Sequence, residues 1–335
     1  MKKLLSLMLA VFLAGCTART PTEQKIRIGV TVYDQYDTFI SELISTFNAD
    51  IAGRENITVD NYSASKNQLT QNKQVQQMIN DGCNVICVNL VDRTEPSRII
   101  EAARKAGVPV IFFNRELVEE DLMQWEGLYY IGADAEESGI IQGQIAADII
   151  RNTAADRNED GLISYIVLEG EAGHQDAIVR TEKSVGTLME EGIQVEKLGS
   201  AIANWNRSQA QTRMAQYIDQ FGTDIELVLG NNDDMALGAI DAYKSSRISE
   251  EDWPVIVGID GTEPGLKAVI DGDLDGTVYN DSRGQAEAMA ALAYALAAGE
   301  STENLSLKDG KYIRLPYLRI TAENAADYLE QASSQ

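Results

Sequence analysis

The amino-acid sequence predicts an α/β fold built from two doubly wound parallel-sheet lobes. Two observations indicate this class: short apolar, β-branched runs recur along the chain, and amphipathic helical stretches separate them. Apolar runs of this length between helices are typical of strands in parallel sheets that are covered on both faces. The length supports two domains, because 335 residues exceed what one hydrophobic core usually organises.

Six of the apolar runs predict strands that each lead to a polar residue. In chain order the runs are residues 28–33, 108–113, 165–168, 225–229, 255–259 and 277–279, and the polar residues are Asp37, Asn114, His174, Asn232, Asp260 and Asn280. Further strands are predicted at 59–62, 83–89 and 129–132. In open α/β sheets a ligand lies beyond the carboxyl ends of the strands. The repeated Asn, Asp and His residues therefore predict a cleft that binds a small polar molecule.

Amphipathic patterns predict helices between these strands. They cover residues 37–52, 68–80, 96–105, 138–150, 175–191, 208–220, 235–244 and 285–298. In the first of them Phe39, Ile40 and Leu43 share one helical face, which we expect to be buried. Gly107 and Gly299 follow two of the helices, at positions where glycine commonly ends a helix.

The first 25 residues predict a targeting segment and a membrane tether. A basic start precedes an apolar stretch at 4–14 that is too short to span a bilayer. The sequence Leu13-Ala14-Gly15-Cys16 then resembles a bacterial lipoprotein cleavage site. We therefore expect residues 1–15 to be a signal peptide, Cys16 to be lipidated and residues 16–25 to form a tether, because acyl chains confer membrane affinity. The alternative is an ordinary signal peptide with an incidental cysteine.

Composition argues against two classes of site. The formal net charge of −24 disfavours a nucleic-acid surface, which needs clustered Lys and Arg. A zinc-type Cys/His site is excluded by count, because the chain has one His and, beyond Cys16, only Cys83 and Cys87. Those two cysteines lie four apart on a predicted strand, too far from each other for a disulfide, so we expect buried free thiols.

The polar residues at the strand ends suit a sugar. Each sugar hydroxyl offers a donor and acceptors, so a buried pyranose needs dense, mixed hydrogen-bonding partners. Its C–H faces favour flat aromatic rings. The candidate partners are Asp37, Asn114, His174, Asp176, Arg180, Asn232, Asp260 and Asn280, with Phe39 and Trp205 as the two flat faces. For any single Asp or Asn the alternative is a turn or helix N-cap role, and for Trp205 it is a half-buried surface position.

A second motif has the spacing of a calcium loop. Oxygen-bearing residues occupy positions 1, 3, 5, 7 and 9 of the loop, and Gly161 occupies position 6. The ligand candidates are Asp156, Asn158, Asp160, the carbonyl of Leu162, and Ser164. Position 12 is Val167 rather than Glu, and a strand follows, so an EF-hand helix pair is ruled out. Glu226 is the candidate for the missing carboxylate, and the alternative is an Asp/Asn-rich turn.

Together these segments resemble the bacterial galactose/glucose-binding proteins of the type I periplasmic-binding family. The matching stretches are residues 29–39, 112–114, 137–143, 170–180, 231–233 and 276–281. The resemblance implies two lobes joined by a three-crossing hinge, with residues 26–132 and 281–314 in the N-terminal lobe and 133–280 and 315–335 in the C-terminal lobe. It also implies that the eight polar candidates hydrogen-bond one sugar and that Phe39 and Trp205 sandwich it.

The same resemblance implies a function and its partners. The expected function is that of a monomeric, extracytoplasmic receptor, anchored through Cys16, that delivers D-galactose or D-glucose to the membrane permease of an ABC transporter. A chemoreceptor is a further candidate partner. The resemblance also implies a structural calcium ion bound by Asp156, Asn158, Asp160, Leu162 and Glu226, whereas Ser164 stands where relatives carry Gln.

The sequence disfavours two other classes of protein, a glycosidase and a sugar-responsive transcription regulator. A glycosidase would use two cleft carboxylates, such as Asp37 and Asp260. Their predicted setting among amides and beside Arg180 favours ionisation and disfavours a general acid. A sugar-responsive transcription regulator would need an N-terminal helix-turn-helix and a basic surface, whereas this chain begins with a predicted signal segment.

Overall fold

The computed structural model describes residues 25–54, 56–153 and 155–333. The predicted signal peptide, the predicted lipidation site Cys16 and the predicted tether up to residue 24 lie outside these residues. Across the described ranges, no helix is both long enough and apolar enough to span a bilayer.

The strands alternate with helices along the described chain. The strands are β1 (Ile26–Val32), β2 (Ile57–Ser63), β3 (Val85–Val88), β4 (Val110–Phe113), β5 (Leu128–Gly132), β6 (Ile163–Glu169), β7 (Val195–Ile202), β8 (Leu227–Gly230), β9 (Val255–Val257), β10 (Thr277–Asn280), β11 (Tyr312–Arg314) and β12 (Tyr317–Ile320). The α-helices are α1 (Thr38–Ala52), α2 (Gln68–Asn80), α3 (Ser97–Ala106), α4 (Glu119–Leu122), α5 (Ala135–Asn152), α6 (Gln175–Glu190), α7 (Arg207–Phe221), α8 (Asp233–Lys244), α9 (Glu263–Asp271), α10 (Ser282–Ala298) and α11 (Ala325–Ser333). Short 3₁₀ turns cover Gly222–Asp224, Glu250–Asp252 and Glu303–Leu305.

Two parallel sheets form the centres of two lobes, which confirms the predicted fold class. The N-terminal lobe has a six-stranded sheet in the order β11-β5-β4-β3-β1-β2, and the C-terminal lobe has a four-stranded sheet in the order β7-β6-β8-β9. Every pairing within these two sheets is parallel. Strands β10 and β12 pair antiparallel as a separate two-stranded ladder.

Each sheet is buried on both faces, as the unbroken apolar runs predict. In β3, Val85 and Cys87 pack into one hydrophobic cluster with α1 and α10, whereas Ile86 and Val88 pack into another on the opposite face. Because successive side chains of a strand point to opposite faces, one apolar run contributes to both layers. Cys83 and Cys87 are free and buried, as expected.

The chain passes between the lobes at three places. The passages join β5 to α5, β10 to α10 and β11 to β12. Helix α10 packs against α1 of the N-terminal lobe, and α5 packs against α6 of the C-terminal lobe. This arrangement is a three-crossing hinge. The residue boundaries of the two domains given above remain a prediction.

Strand β7 and helix α9 are absent from the sequence-based prediction. Residues 195–202 mix charged and apolar residues, because β7 is an edge strand and is only partly covered. Edge strands lack the continuous apolar run that identifies a central strand. Helix α9 has only nine residues, which is too short for a clear amphipathic period.

Candidate functional site

A cleft between the two lobes holds most of the predicted sugar-binding residues. It contains about 340 Å³ of space not filled by atoms, including space open to solvent. Nine predicted residues line it: Asp37, Phe39, Asn114, His174, Asp176, Arg180, Trp205, Asn232 and Asp260. The tenth, Asn280, is buried directly behind them, with Nδ2 3.5 Å from Oδ1 of Asp260. Both proposed flat faces, Phe39 and Trp205, therefore share one cavity.

Three of these residues are helix N-caps, and for Asp37 and Asn232 this is the N-cap alternative given above. Asp37 Oδ1 accepts a hydrogen bond from Ile40 N at 2.9 Å, His174 Nδ1 from Asp176 N at 3.2 Å and Asn232 Oδ1 from Met235 N at 3.0 Å. An N-cap uses one polar atom of the side chain, and the second polar atom remains available to bind a ligand. The caps hold these side chains at the carboxyl ends of the strands, where they line the cleft.

The chain follows unusual backbone conformations around the cleft. Asn114, Trp205 and Asp260 have positive φ angles of 60°, 60° and 119°. Non-glycine residues adopt such conformations at a cost, and they cluster at functional sites. Gly170 has a different role, because a Cβ atom there would lie 2.1 Å from Cζ2 of Trp205. The absence of a side chain at 170 therefore makes room for the indole.

His174 is a neutral hydrogen-bond donor in this cleft. Its Nδ1 accepts from a backbone N–H, so the ring proton is on Nε2. Burial lowers the pKa of His174 to about 4, which keeps the ring neutral at ordinary pH. Within the described part of the chain, Nε2 is buried and has no hydrogen-bond partner. Buried donors are rarely left unpaired, so Nε2 is available to donate to a group that enters the cleft.

Arg180 is the buried cation of the site. Its Nη1 donates to the carbonyl of Asn231 at 2.8 Å, and its Nη2 donates to the Tyr317 hydroxyl at 3.0 Å and lies 3.5 Å from Oδ1 of Asp260. Among the described residues its Nε has no partner. Burial raises the pKa of Asp260 well above its ordinary value, and the adjacent guanidinium only partly opposes that rise. The expectation that this setting favours ionisation of Asp260 is therefore wrong, because loss of solvent outweighs the charge of Arg180.

The structure adds four residues to the predicted site. Tyr33, Ile40 and Arg115 line the cleft, and Tyr317 contacts Arg180 from β12. The Tyr33 hydroxyl donates to Asp37 Oδ2 at 2.6 Å, and the Arg115 guanidinium carbon lies 3.5 Å from the centroid of the Tyr33 ring. Tyr33 and Arg115 could have been found from the sequence, because each lies at or next to the end of a predicted strand. No sequence signal marks Tyr317.

Side chains from both lobes also meet at the mouth of the cleft. Glu171 of the C-terminal lobe forms ion pairs with Arg115 at 3.0 Å and with Lys66 at 3.5 Å, both from the N-terminal lobe. On another side, Thr38 Oγ1 donates to Asp234 Oδ2 at 2.8 Å. These contacts require the lobes to be close together, so the structure represents a closed arrangement.

The predicted calcium loop is a tight, oxygen-rich turn. Backbone N–H groups of Gly161, Asp160 and Leu162 donate to the side chains of Asp156, Asn158 and Asp160 respectively, at 3.0, 2.9 and 2.7 Å. Such a loop supplies the carboxylate, amide and carbonyl oxygens that calcium prefers.

Glu226 lies beside this loop and is hydrogen-bonded to its backbone. Only 1% of the side chain is exposed, and its two oxygens accept from Arg157 N at 2.8 Å and from Ser164 N at 3.0 Å. Asp156 Oδ1 is buried and unpaired among the described residues, so this oxygen is available as a cation ligand. However, no group of three or more His, Cys, Asp or Glu side chains suited to a metal occurs in residues 25–54, 56–153 and 155–333. The donor types fit calcium, although the three carboxylates do not form such a cluster.

Comparison with known proteins identifies the family. A family model described as a periplasmic binding protein domain matches residues 28–301. The D-galactose/methyl-galactoside binding periplasmic protein MglB of Haemophilus influenzae is 35% identical over 312 residues, which cover 91% of this chain and 92% of that protein. A xylitol-binding protein of Mycolicibacterium smegmatis is 32% identical, with 87% of this chain and 77% of that protein covered.

A solved structure has the same fold. It is an ABC transporter solute binding protein from Bacillus halodurans with bound myo-inositol, 27% identical, with a TM-score of 0.79, covering 93% of this chain and 100% of that chain. The match over most of the chain and the two-lobed parallel-sheet architecture lead to one conclusion: the chain belongs to the type I periplasmic binding protein family.

Proposed function

We propose that this protein is an extracytoplasmic receptor that binds one hexose, D-galactose or D-glucose, and delivers it to an ABC importer. The observation that carries the proposal is the cleft itself, in which nine predicted sugar-binding residues converge. Two of its donors, His174 Nε2 and Arg180 Nε, are buried and have no partner among the described residues. A sugar hydroxyl is a suitable acceptor for both.

The cleft offers a balanced set of groups for a polyol. The carboxylates of Asp37, Asp176 and Asp260 accept hydrogen bonds, and Arg180 and His174 donate them. Phe39 and Trp205 offer aromatic surface to the C–H faces of a ring. Contacts to both lobes form together only when the lobes close, so the sugar shifts the population toward the closed form.

The choice of a hexose rests on the relatives and on the residue set. The relative from Haemophilus influenzae is named for galactose, whereas others are named for xylitol or contain myo-inositol. All ten residues expected for a hexose lie in or directly behind one cleft. A permease is the proposed recipient of the sugar, and a chemoreceptor is proposed as a second partner of the same receptor.

Calorimetry with a panel of ligands tests the proposed specificity. The panel contains D-galactose, D-glucose, D-ribose, xylitol and myo-inositol, and tryptophan emission is recorded in parallel. We expect saturable binding of at least one of the two hexoses at micromolar or lower concentration, with the other ligands at least tenfold weaker. Trp205→Phe should remove the emission change, whereas Trp125→Phe, which lies outside the cleft, should retain it. Preferential binding of D-ribose, xylitol or myo-inositol would refute the hexose assignment. A protein that binds none of the five ligands would also refute it.

We also propose that the loop at Asp156–Ser164, with Glu226, binds calcium as a structural ion. The unpaired buried oxygen of Asp156 and the oxygen-rich donor set support this proposal. The ion would hold the start of β6 against Glu226, and its chemistry would be electrostatic rather than catalytic. Its test is given in the Discussion.

The proposed anchor is a lipid on Cys16. The cleavage-site resemblance of residues 13–16 supports it. Expression of the full chain in a bacterial host and mass spectrometry of the mature N-terminus test it directly. Cys16→Ser should move the protein from the membrane fraction to the soluble extracytoplasmic fraction, and an unmodified Cys16 in the wild-type protein would contradict the proposal.

A further inference from the structure

Tyr317 occupies a position where the hinge and the cleft meet. It is the first residue of β12 and follows the third passage between the lobes. In the antiparallel ladder it pairs with Asn280, the last residue of β10, next to the second passage. Its backbone N–H donates to Glu137 Oε2 at 3.1 Å, and Glu137 lies in the first turn of α5, next to the first passage. One residue therefore contacts segments from all three crossings.

The side chain of Tyr317 continues from this junction to the cleft. Its hydroxyl accepts the hydrogen bond from Arg180 Nη2 at 3.0 Å, while the distance from that nitrogen to Asp260 is 3.5 Å. Tyr317 and Arg180 are 5% and 4% exposed, so water does not readily replace this partner. Burial raises the pKa of Tyr317 to about 12, and the hydroxyl remains neutral at ordinary pH.

The Tyr317 hydroxyl and the Asn231 carbonyl hold the two ends of the guanidinium group. With Nη1 bound to Asn231 and Nη2 bound to Tyr317, the planar group has one orientation, and its unpaired Nε is held in place. A fixed guanidinium can donate to a ligand in a defined direction without first losing side-chain freedom.

We propose that Tyr317 is a positioning residue that orients Arg180 for the ligand and couples that orientation to the closed hinge. The inference rests on the proposed function, because it assigns a role within the same sugar site. Tyr317 is not expected to touch the sugar itself, since it is absent from the residues that line the cleft.

The test uses Tyr317→Phe and a matched control, Tyr279→Phe. The phenylalanine ring preserves packing and removes only the hydroxyl. Tyr279 lies on the same ladder, paired with Leu318, but its hydroxyl donates to Asp281 Oδ1 at 3.4 Å rather than contacting Arg180. We expect Tyr317→Phe to weaken binding of the preferred hexose ten- to a hundredfold, roughly the effect of losing one hydrogen bond to a charged group. Tyr279→Phe should stay within threefold of wild type.

A series of monodeoxy hexoses separates positioning from a general structural effect. Arg180→Lys identifies the sugar hydroxyl that Arg180 binds. In this variant, the deoxy hexose that lacks that hydroxyl should bind almost as well as the intact hexose, because the contact has already been lost. Tyr317→Phe should show the same dependence on the same hydroxyl, and the double variant should lose less than the sum of the two single effects. Unchanged melting temperatures of the sugar-free variants confirm that the fold is intact.

The outcomes distinguish this inference from the proposed function. A wild-type protein that binds no hexose would contradict the proposed function, and it would also contradict the inference, which depends on that function. Normal wild-type binding together with an unaffected Tyr317→Phe variant overturns the inference alone. A loss in Tyr317→Phe that is equal for all deoxy sugars, or additive with Arg180→Lys, also overturns it, because it would indicate a general change in closure.

Discussion

The imidazole of His174 meets the indole of Trp205 edge to face, with ring centroids 5.2 Å apart and ring planes at 80°. Such edge-to-face pairs stabilise one orientation of both rings. His174 is also the N-cap of α6, so the helix, the imidazole and the indole are positioned together. The contact between these two rings therefore fixes the orientation of the Trp205 indole in the cleft.

A single methyl group at position 170 would occupy space that the Trp205 ring now fills. In Gly170→Ala the new Cβ would overlap the indole, so we expect the ring to move, the hexose affinity to fall at least tenfold and the free energy of unfolding to fall by about 1–3 kcal/mol. Calorimetry and urea unfolding measure the two effects. The control is Gly186→Ala in α6, where the new Cβ would have no atom within 4 Å apart from its chain neighbours and the backbone of its own helix. This control should keep the affinity and gain about 0.5–1 kcal/mol in stability, and equal behaviour of the two variants would contradict the prediction.

Burial of neutral His174 should make stability depend on pH. The pKa of about 4 in the folded protein lies below the ordinary value of 6.5, so the unfolded state binds more protons between these values. The contribution of His174 to the unfolding free energy should therefore fall by about 3 kcal/mol as pH decreases from 6.5 to 4. Asn at this position retains an N-cap but does not titrate. Urea unfolding at both pH values should show a smaller decrease for His174→Asn, and identical decreases would disprove this role.

The ion pair between Arg115 and Glu171 should stabilise the closed form. Glu171→Gln removes a contact between the lobes and leaves Arg115, which is 4% exposed, without its carboxylate partner. We expect roughly fivefold weaker sugar binding, mainly through faster dissociation, corresponding to about 1 kcal/mol. Stopped-flow fluorescence measures the rates. The matched control is Glu136→Gln, because the ion pair of Glu136 with Lys183 lies within one lobe. A similar increase in dissociation rate for both variants would exclude a specific closing effect.

The calcium proposal predicts a metal-dependent change in thermal stability. Calcium binding to the folded state should raise the melting temperature, and a chelator should reverse the rise. Asp156→Ala should abolish this response and leave most of the hexose-dependent stabilisation. Asp219→Ala, an exposed position on α7, is the control and should keep both responses. A wild-type protein whose melting temperature does not change with calcium or chelator would rule out a structural ion.

The cleft composition followed from the sequence because of a general property of parallel sheets. All strands of one parallel sheet end at the same edge, so Asn114 after β4 could be placed at the edge of one sheet and Asp260 after β9 at the edge of the other without knowing either strand order. The resemblance to the periplasmic-binding family then implied that these two edges face one cleft. The N-cap positions of Asp37 and Asn232 follow from the same local pattern, since each precedes an amphipathic helix. Each of these inferences uses only residues that lie close to one another in the sequence.

The sequence alone therefore determined the alternation of strands and helices, the buried faces and most of the residues at the cleft. Only the tertiary structure decided that Tyr317 reaches Arg180, which is 137 residues away, and that Arg115 and Glu171 meet across the two lobes. The physical reason is the range of the interactions. Periodicity and capping reflect contacts within a few residues, whereas hinge and interlobe contacts depend on how distant segments pack, and no local pattern encodes that packing.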